Sequence, residues 1–390
     1  MKIVWFVPSL LIATQSYAGG WEASALDTGF MYKDGNYGEL SYASLDYDVK
    51  ATALKAPLGA ASNITEKNIV KDQNRTVFSF KTSVSDFTLG LSSYTSAAMK
   101  LNGSGSTYYV LSDGVTAGHG TAIPSADAEI NTLSFIGKYS FSENLDVLLG
   151  VNQNTLADST ATTSRGTYKI SGKAGMGEIY GFAYSRPEIA LRVELLAQPK
   201  AKITTSTNYV ASAYGTGTIT AAGCTGTQTN INFNSTLSRP ETYTLNFQTG
   251  IAENTLLIGS IHKTNWSKAQ IDVPTGCSAS ATGSKFTDTT TTKIGVGRKL
   301  SDNWSVIASY QQETGGKKTT TSLFTVNNGY QSINLGASYT VDNITISGGY
   351  SYTDIGDVSV VIPVSGTDTT YATYKNNTAS ALGLKLGVSF

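Results

Sequence analysis

Histidine and cysteine are nearly missing from this sequence: His119 and His262 are its only histidines, and Cys224 and Cys277 its only cysteines. Two separated histidines do not make a multi-histidine metal centre, so neither a metal nor another cofactor is expected. Neither histidine lies in a nucleophile motif such as G-x-S-x-G, and no acid, base and nucleophile set can be assembled. The chain therefore does not read as an enzyme. With 28 basic and 28 acidic residues the formal net charge is zero, and the basic residues are dispersed, which argues against nucleic acid as a partner. After the first 18 residues there is no apolar run that would cross a bilayer as a helix, which excludes a helical membrane protein.

The start of the chain is different. Met1 and Lys2 give a short basic start, Ile3 to Ala13 form an apolar run broken by Pro8, and Ser16-Tyr17-Ala18 places small residues at cleavage positions. Residues 1–18 read as a signal peptide to be removed, too short for a membrane anchor. Export favours disulfides, so Cys224 and Cys277 are expected to pair.

Charged residues make up only 14% of the chain, against 39 Gly and 22 Tyr with abundant Ser and Thr. That composition fits strands with one apolar face and one small, polar face. Periodicity agrees. Ile344, Ile346, Gly348, Tyr350 and Tyr352 alternate with Thr345, Ser347, Gly349, Ser351 and Thr353, while Ile333, Leu335, Ala337, Tyr339 and Val341 alternate with Ser332, Asn334, Gly336, Ser338 and Thr340. The two runs meet at the tight-turn pair Asp342-Asn343. The chain ends in Leu384, Leu386, Val388 and a terminal Phe390, spaced as the last strand of a barrel requires. A soluble β-sandwich or adhesin shares the composition, but the periodicity favours an all-β transmembrane antiparallel barrel.

The pattern predicts strands at 37–50, 75–84, 87–94, 128–141, 145–156, 169–184, 189–198 and 256–273, with further runs before 251, around 294–300, from 304, 331–341, from 344 and 376–390. That gives about fourteen strands, an even number as bacterial barrels have. Short turns alternate with long connections at 52–74, 95–127, 157–168, 199–240, 274–286, 314–328 and 359–375. Since short turns are periplasmic and long loops extracellular in such barrels, both termini are expected in the periplasm. Cys224 and Cys277 then lie in the fourth and fifth extracellular loops.

Several segments resemble the long-chain fatty acid transporter family of FadL/TodX type. They are Gly29-Phe-Met-Tyr-Lys-Asp-Gly-Asn-Tyr-Gly-Glu-Leu-Ser-Tyr42 followed by Asp46-Tyr-Asp-Val49, then Leu256-Leu-Ile-Gly-Ser-Ile-His-Lys-Thr-Asn-Trp-Ser267, Lys293-Ile-Gly-Val-Gly-Arg-Lys-Leu300, and Gln331-Ser-Ile-Asn-Leu-Gly through Gly348-Gly-Tyr-Ser-Tyr352. The resemblance implies a fourteen-stranded barrel that captures hydrophobic molecules at its outer face and passes them through a lateral opening. It divides the chain into a signal peptide (1–18), a short hatch-like segment (19–36) and a barrel (37–390). There are two departures. No proline lies between Gly19 and Asn36, where the family's hatch carries Asn-Pro-Ala, and the family's Pro-Phe-Gly element is replaced by Tyr94-Thr-Ser-Ala97. The usual plug-based gating and strand kink therefore do not transfer residue by residue.

A fatty acid needs an apolar slot and a group to hold its carboxylate. Alternation points Lys81, Lys138, Arg192 and Lys385 inward, where each either holds a ligand or pairs with inward Asp146 and Glu194. Arg192 is first choice, because a guanidinium can hold a carboxylate with two hydrogen bonds. In the 95–127 connection, Met99, Leu101, Tyr108, Tyr109, Val110 and Leu111 are too apolar for a solvated loop and read as a tail-collecting patch. Trp266 reads as a membrane-interface residue. The expectation is a monomeric outer-membrane transporter of hydrophobic compounds, with long-chain fatty acids ahead of aromatic hydrocarbons. Its other partners would be outer-membrane lipid and the barrel-assembly machinery. A general diffusion porin and a structural or adhesive surface barrel are the alternatives.

Overall fold

The computed structural model describes residues 20–54, 63–103, 123–163, 166–211, 230–274, 280–282, 284–364 and 367–390. Fourteen strands form the wall: β1 (Tyr37–Asp48), β2 (Gln73–Val84), β3 (Phe87–Asn102), β4 (Ser125–Ser140), β5 (Leu145–Leu156), β6 (Lys173–Arg186), β7 (Leu191–Gln198), β8 (Glu241–Ala252), β9 (Thr255–Asn265), β10 (Thr289–Lys299), β11 (Trp304–Gly315), β12 (Tyr330–Val341), β13 (Ile344–Ile355) and β14 (Asn377–Ser389). Each pairs antiparallel with its neighbours in the chain, and β1 pairs with β14 from Tyr37↔Ser389 to Asp48↔Thr378. The sheet is thus closed.

Closure joins the first and last strands and gives the sheet two kinds of face, as a wall in lipid demands. Leu40, Phe78, Leu89, Phe135, Ile333 and Leu384 project outward and are exposed. Between them Ser332, Thr345, Ser347 and Thr353 face inward and are buried. Connections alternate as the sequence predicts. Short turns at 85–86, 141–144, 187–190, 253–254, 300–303 and 342–343 lie at one rim and longer connections at the other. Ser85, Asn254 and Asp342 take left-handed φ values of 54°, 57° and 49° in these turns, which suits Asn and Asp there. An aromatic girdle marks the short-turn rim, with Phe87, Tyr139 and Phe141 in contact at centroid spacings of 4.7 Å and Trp304 against Tyr339 at 5.0 Å.

Among the differences from the sequence reading, three bear on the site. β3 continues to Asn102, so Met99 and Leu101 belong to the wall and not to an exposed loop. The long strand expected over 256–273 stops at Asn265, where Trp266–Lys268 make a single turn. The strand expected over 169–184 divides into Gly166–Ile170, part of a hairpin above the wall, and β6. The signal segment 1–18, Tyr108, Tyr109, Val110, Leu111, Cys224 and Cys277 with their expected disulfide lie outside the described residues.

The lumen is filled rather than open. Toward the long-connection rim an apolar cluster joins wall residues such as Leu45, Met99, Leu101 and Ile130 to Trp266, Tyr374 and Trp21. Nearer the other rim a second cluster holds Leu26, Phe30 and Met31 against Tyr94, Ile136 and Leu148. Both clusters contain residues that precede β1. Asn36 exchanges backbone hydrogen bonds with Phe390 at the short-turn rim, at 3.2 and 3.0 Å. From there back to Gly20 the segment climbs the lumen to the level of Trp266. Phe390 therefore lies at the short-turn rim, but the segment before β1 does not remain beside it.

Candidate functional site

The wall is interrupted at one place. β2 and β3 pair from Val84↔Phe87 to Phe78↔Ser93 and no further. Above that point β2 stays with β1, up to Leu45↔Gln73, while β3 stays with β4, from Tyr94↔Thr132 to Asn102↔Ser125. The two strands part for the length of Tyr94 to Lys100, roughly 20 Å of strand. The gap is bridged at the top by Val70↔Leu101, with Lys71 N donating to Lys100 O at 2.9 Å.

A bulge lies inside the gap. Thr95 opposes Asn131 and Ala97 opposes Ile130, so Ser96 is an extra residue with no partner across the ladder. Its hydroxyl receives the Thr132 hydroxyl at 2.7 Å and donates to Ile130 O at 3.3 Å. Bulges bend a strand and re-aim its edge. This one stands where the sequence shows Tyr94-Thr-Ser-Ala97 in place of the family's kink element.

The freed edge of β3 is filled by the end of the lumenal segment. Ala23 N donates to Ser96 O at 2.9 Å and Ala98 N donates to Trp21 O at 2.8 Å, with Glu22 opposite Ala97 in an antiparallel bridge. From the other side of the gap, buried Arg75 of β2 donates to Ala23 O. Residues 21–23 thus form a short piece of strand that touches both edges of the opening. Trp21 and Trp266 are both about 1% exposed. A Cβ on Gly20 would lie 2.3 Å from the Trp266 ring, so glycine is needed for this approach. Trp266 is therefore an internal seat for the tip and not an interface residue.

Glu22 latches the tip to the far wall. His262 Nε2 lies 2.9 Å from one carboxylate oxygen, and the Thr264 hydroxyl donates to the other at 2.8 Å. Thr244 holds His262 Nδ1 at 2.7 Å. Burial alone would raise the Glu22 pKa, but the charge and hydrogen bond of His262, the Thr264 hydroxyl and the charge of Arg239 outweigh it and hold it below the usual carboxylate value. Because the folded pKa is depressed, the stabilisation is present above the ordinary carboxylate range and is lost as the pH falls through the folded value. At the other end of the segment, burial and Lys385 hold the Lys33 ammonium down at about 7. Its cost to folding is complete only about a unit below that value, so acidification below about pH 6 reads the tip and not Lys33. The expected result is tryptophan emission that is constant from about pH 6 to the ordinary carboxylate range and red-shifts below it. His262→Gln should move that transition to higher pH.

The lower part of the segment is anchored separately. Glu194 accepts hydrogen bonds from the Thr28 hydroxyl at 2.5 Å, the Tyr32 hydroxyl at 2.6 Å and Asn246 Nδ2 at 2.9 Å. Phe30 and Met31 sit beneath Gly90, where a Cβ would lie 2.2 Å from the Met31 sulfur. Arg192 points inward as predicted, but its guanidinium lies over the Tyr32 ring at 4.0 Å, while Glu194 is held by the segment. Lys138 is ion-paired with Asp146 at 3.3 Å and Lys385 with Glu39 at 3.2 Å. Lys81 is buried and donates to Ser83 at 3.0 Å. Lys138 Nζ also lies 5.3 Å from the centre of the Tyr32 ring, so Lys138 and Arg192 meet at Tyr32, while Lys81 and Lys385 have other partners. Met99 and Leu101 are buried in the upper cluster, facing the lumen beside the tip.

One cation missed from sequence lies at the gap. Arg239 stands just before β8 and is buried, and its Nη2 donates to Pro199 O at 3.3 Å. Its Nε is buried without a hydrogen-bond partner among the described residues. Arg239, Tyr94, Ser96, Gln198, Glu22 and Trp266 border a cavity of about 10 Å³, room for one water. The signal that could have marked Arg239 was its place next to Pro240, at the return from the longest connection into the wall.

No known protein-family profile matches this chain, and no curated protein sequence matches it either. Solved structures do. A FadL homologue of Pseudomonas aeruginosa superposes with a TM-score of 0.73 at 12% identity, over 93% of this chain and 92% of that one. The toluene transporter TodX of Pseudomonas putida gives 0.62 at 12% identity, over 92% and 91%. The toluene transporter TbuX of Ralstonia pickettii gives 0.58 at 12% identity, over 92% and 90%. These superpositions place this chain in the fold shared by the FadL-type and TodX-type barrels.

Proposed function

We propose that this protein is an outer-membrane channel for uptake of hydrophobic molecules, long-chain fatty acids first among them, and that cargo leaves the lumen sideways between β2 and β3. The observation that carries this reading is the pairing of Trp21 to Ala23 on the free edge of β3. A wall with a gap, and a movable piece of chain in the gap, suits a gated lateral exit. The two apolar clusters across the lumen weigh against a water-filled diffusion porin, whose constriction would be lined by charge. The names of the similar structures, a FadL homologue and toluene transporters, agree with a hydrophobic cargo.

In this reading Met99 and Leu101 receive the tail as the tip withdraws. Arg239, with an unused donor beside Ser96, takes the carboxylate, and Arg192 becomes available only if Tyr32 moves. The test is binding of a series of saturated acids to detergent-purified protein. Affinity should rise steadily with chain length, by about 0.8 kcal/mol for each methylene that becomes buried. Arg239→Ala should weaken the long acids more than tenfold, and Arg192→Ala by less. Equal binding of short and long acids would defeat the tail-burial reading. Tighter binding of toluene than of any acid would reassign the cargo to aromatic hydrocarbons.

A further inference from the structure

The outward charge near the long-connection rim is unevenly distributed around the barrel. On the side of the gap, carboxylates dominate: Asp46 and Asp48 on β1, Asp72 leading into β2, and Asp127 and Glu129 on β4. Of the cations among them, Lys100 is engaged with Asp127 at 2.6 Å and Glu129 at 3.3 Å and Lys71 with Asp127 at 3.9 Å, and Lys67 is exposed nearby. Across the barrel the balance reverses. Lys200, Lys202, Lys263 and Lys268 are all exposed, where the chain leaves β7 and passes the outer ends of β8 and β9.

These four lysines form one patch. Lys200 Nζ donates to Lys268 O at 3.1 Å, and Lys202 follows on the same exposed face. Lys263 of β9 is directly opposite Tyr243 of β8. The carboxylates within the patch are Glu241, which receives Tyr243 Oη at 3.0 Å, Asn265 Nδ2 at 2.7 Å and Lys268 Nζ at 3.1 Å, and Asp288, which receives Ser267 N at 2.8 Å. Both acids have partners, and three of the four ammonium groups have no carboxylate partner among the described residues. The half-exposed Tyr243 ring lies level with Lys263, and Ile261 lies one outward position further from the rim on the lipid face. A tyrosine at that level marks the edge of the hydrocarbon, and lysines beside and beyond it reach the headgroup layer with their stems along the wall.

We propose that this face is a docking surface for an acylated glycolipid carrying two phosphates, the lipid A type of the outer leaflet. Lysine ammoniums at and beyond the level of an aromatic ring suit phosphates attached to acyl chains, which lie against Tyr243 and Ile261 while the phosphates meet Lys200, Lys263 and Lys268. The opposite wall, with its surplus of carboxylates, repels the same headgroup, so firmly held lipid is kept away from the gap. This inference rests on the long-connection rim being the outer one, but binding in detergent does not depend on transport or on gating.

The experiment is native mass spectrometry of detergent-purified protein titrated with bisphosphorylated lipid A, its monophosphorylated form, phosphatidylglycerol and inorganic phosphate. Bisphosphorylated lipid A should bind best, and the triple variant Lys200→Gln, Lys263→Gln, Lys268→Gln should lose at least tenfold in affinity. Lys71→Gln with Lys100→Gln on the gap side should not weaken it. Glu241→Gln, which leaves every lysine in place and frees Lys268, should tighten it, giving a reading even if the triple variant assembles poorly. Unchanged binding by the triple variant, equal loss in the gap-side variant, or binding of inorganic phosphate as tightly as lipid A would each overturn the proposal. Fatty acid binding should be unaffected by the triple variant, so its loss of lipid A is separable from any failure of the transport reading.

Discussion

A disulfide between positions 22 and 97 should abolish uptake in the oxidised protein and return it on reduction. Glu22 and Ala97 face each other in the bridge that seats the tip on β3, with the flanking hydrogen bonds running from Ala23 N to Ser96 O and from Ala98 N to Trp21 O. That pattern defines a non-hydrogen-bonded antiparallel pair, with Cα atoms about 4.5 Å apart, inside the range a disulfide spans. Glu22→Cys with Ala97→Cys, in a chain whose Cys224 and Cys277 are changed to Ser, should take up long-chain acid at least 50-fold more slowly when oxidised. Comparison of the two redox states of one variant cancels the loss of the Glu22 latch. Equal uptake in both states would show that cargo does not pass the tip.

Deleting Ser96 should have nearly as large an effect by the opposite route. Tyr94 faces inward and Thr95 outward, and Ala97 faces inward again, so Ser96 is the only residue that breaks the alternation. Its removal restores a regular strand without turning any later side chain to the wrong face. β3 is then straight enough to continue its ladder with the free edge of β2, and the tip loses the carbonyl that receives Ala23 N. The deletion should assemble normally, as seen by heat-modifiable gel migration, and lose more than tenfold in uptake. Retained uptake in a well-assembled variant would exclude the β2–β3 opening as the exit.

Most of the wall could be read from the sequence because lipid and lumen impose opposite demands on alternate residues, and β12 and β13 obey this from Ser332 to Val341 and from Ile344 to Thr353, reversing it only at their outer ends, where Tyr330 and Ile355 are buried and Gln331 and Asp354 exposed. The upper half of β3 could not. Ser96, Ala97, Ala98 and Met99 are all buried, because the gap and its occupant cover both faces, so the period of two disappears and the run resembles a greasy loop. Trp266 misled for a related reason. An aromatic residue at a strand end ordinarily marks the membrane interface, and only the docked Gly20 shows that this one faces inward. Arg192 and Glu194 were correctly placed in the lumen, but their partners Tyr32 and Thr28 lie more than 150 positions earlier, as the separation of 166 between Thr28 and Glu194 shows. Local pattern gives a side chain's direction and does not identify what arrives from far along the chain.

The path of residues 20–36 also constrains how the molecule is built. The segment makes contacts with β3, β7 and β9, and the bond from Thr264 to Glu22 spans 242 positions. The barrel itself shuts only when β1 meets β14, whose backbone pairing reaches from Tyr37 to Ser389. A chain that closed first would have to thread Trp21 past the lower cluster to reach Trp266. The order that avoids this has the leading segment lying along an open, curved sheet before the last seam is joined. Assembly then waits on the most distant contacts in the chain, with β1 and β14 exposed as unpaired edges meanwhile.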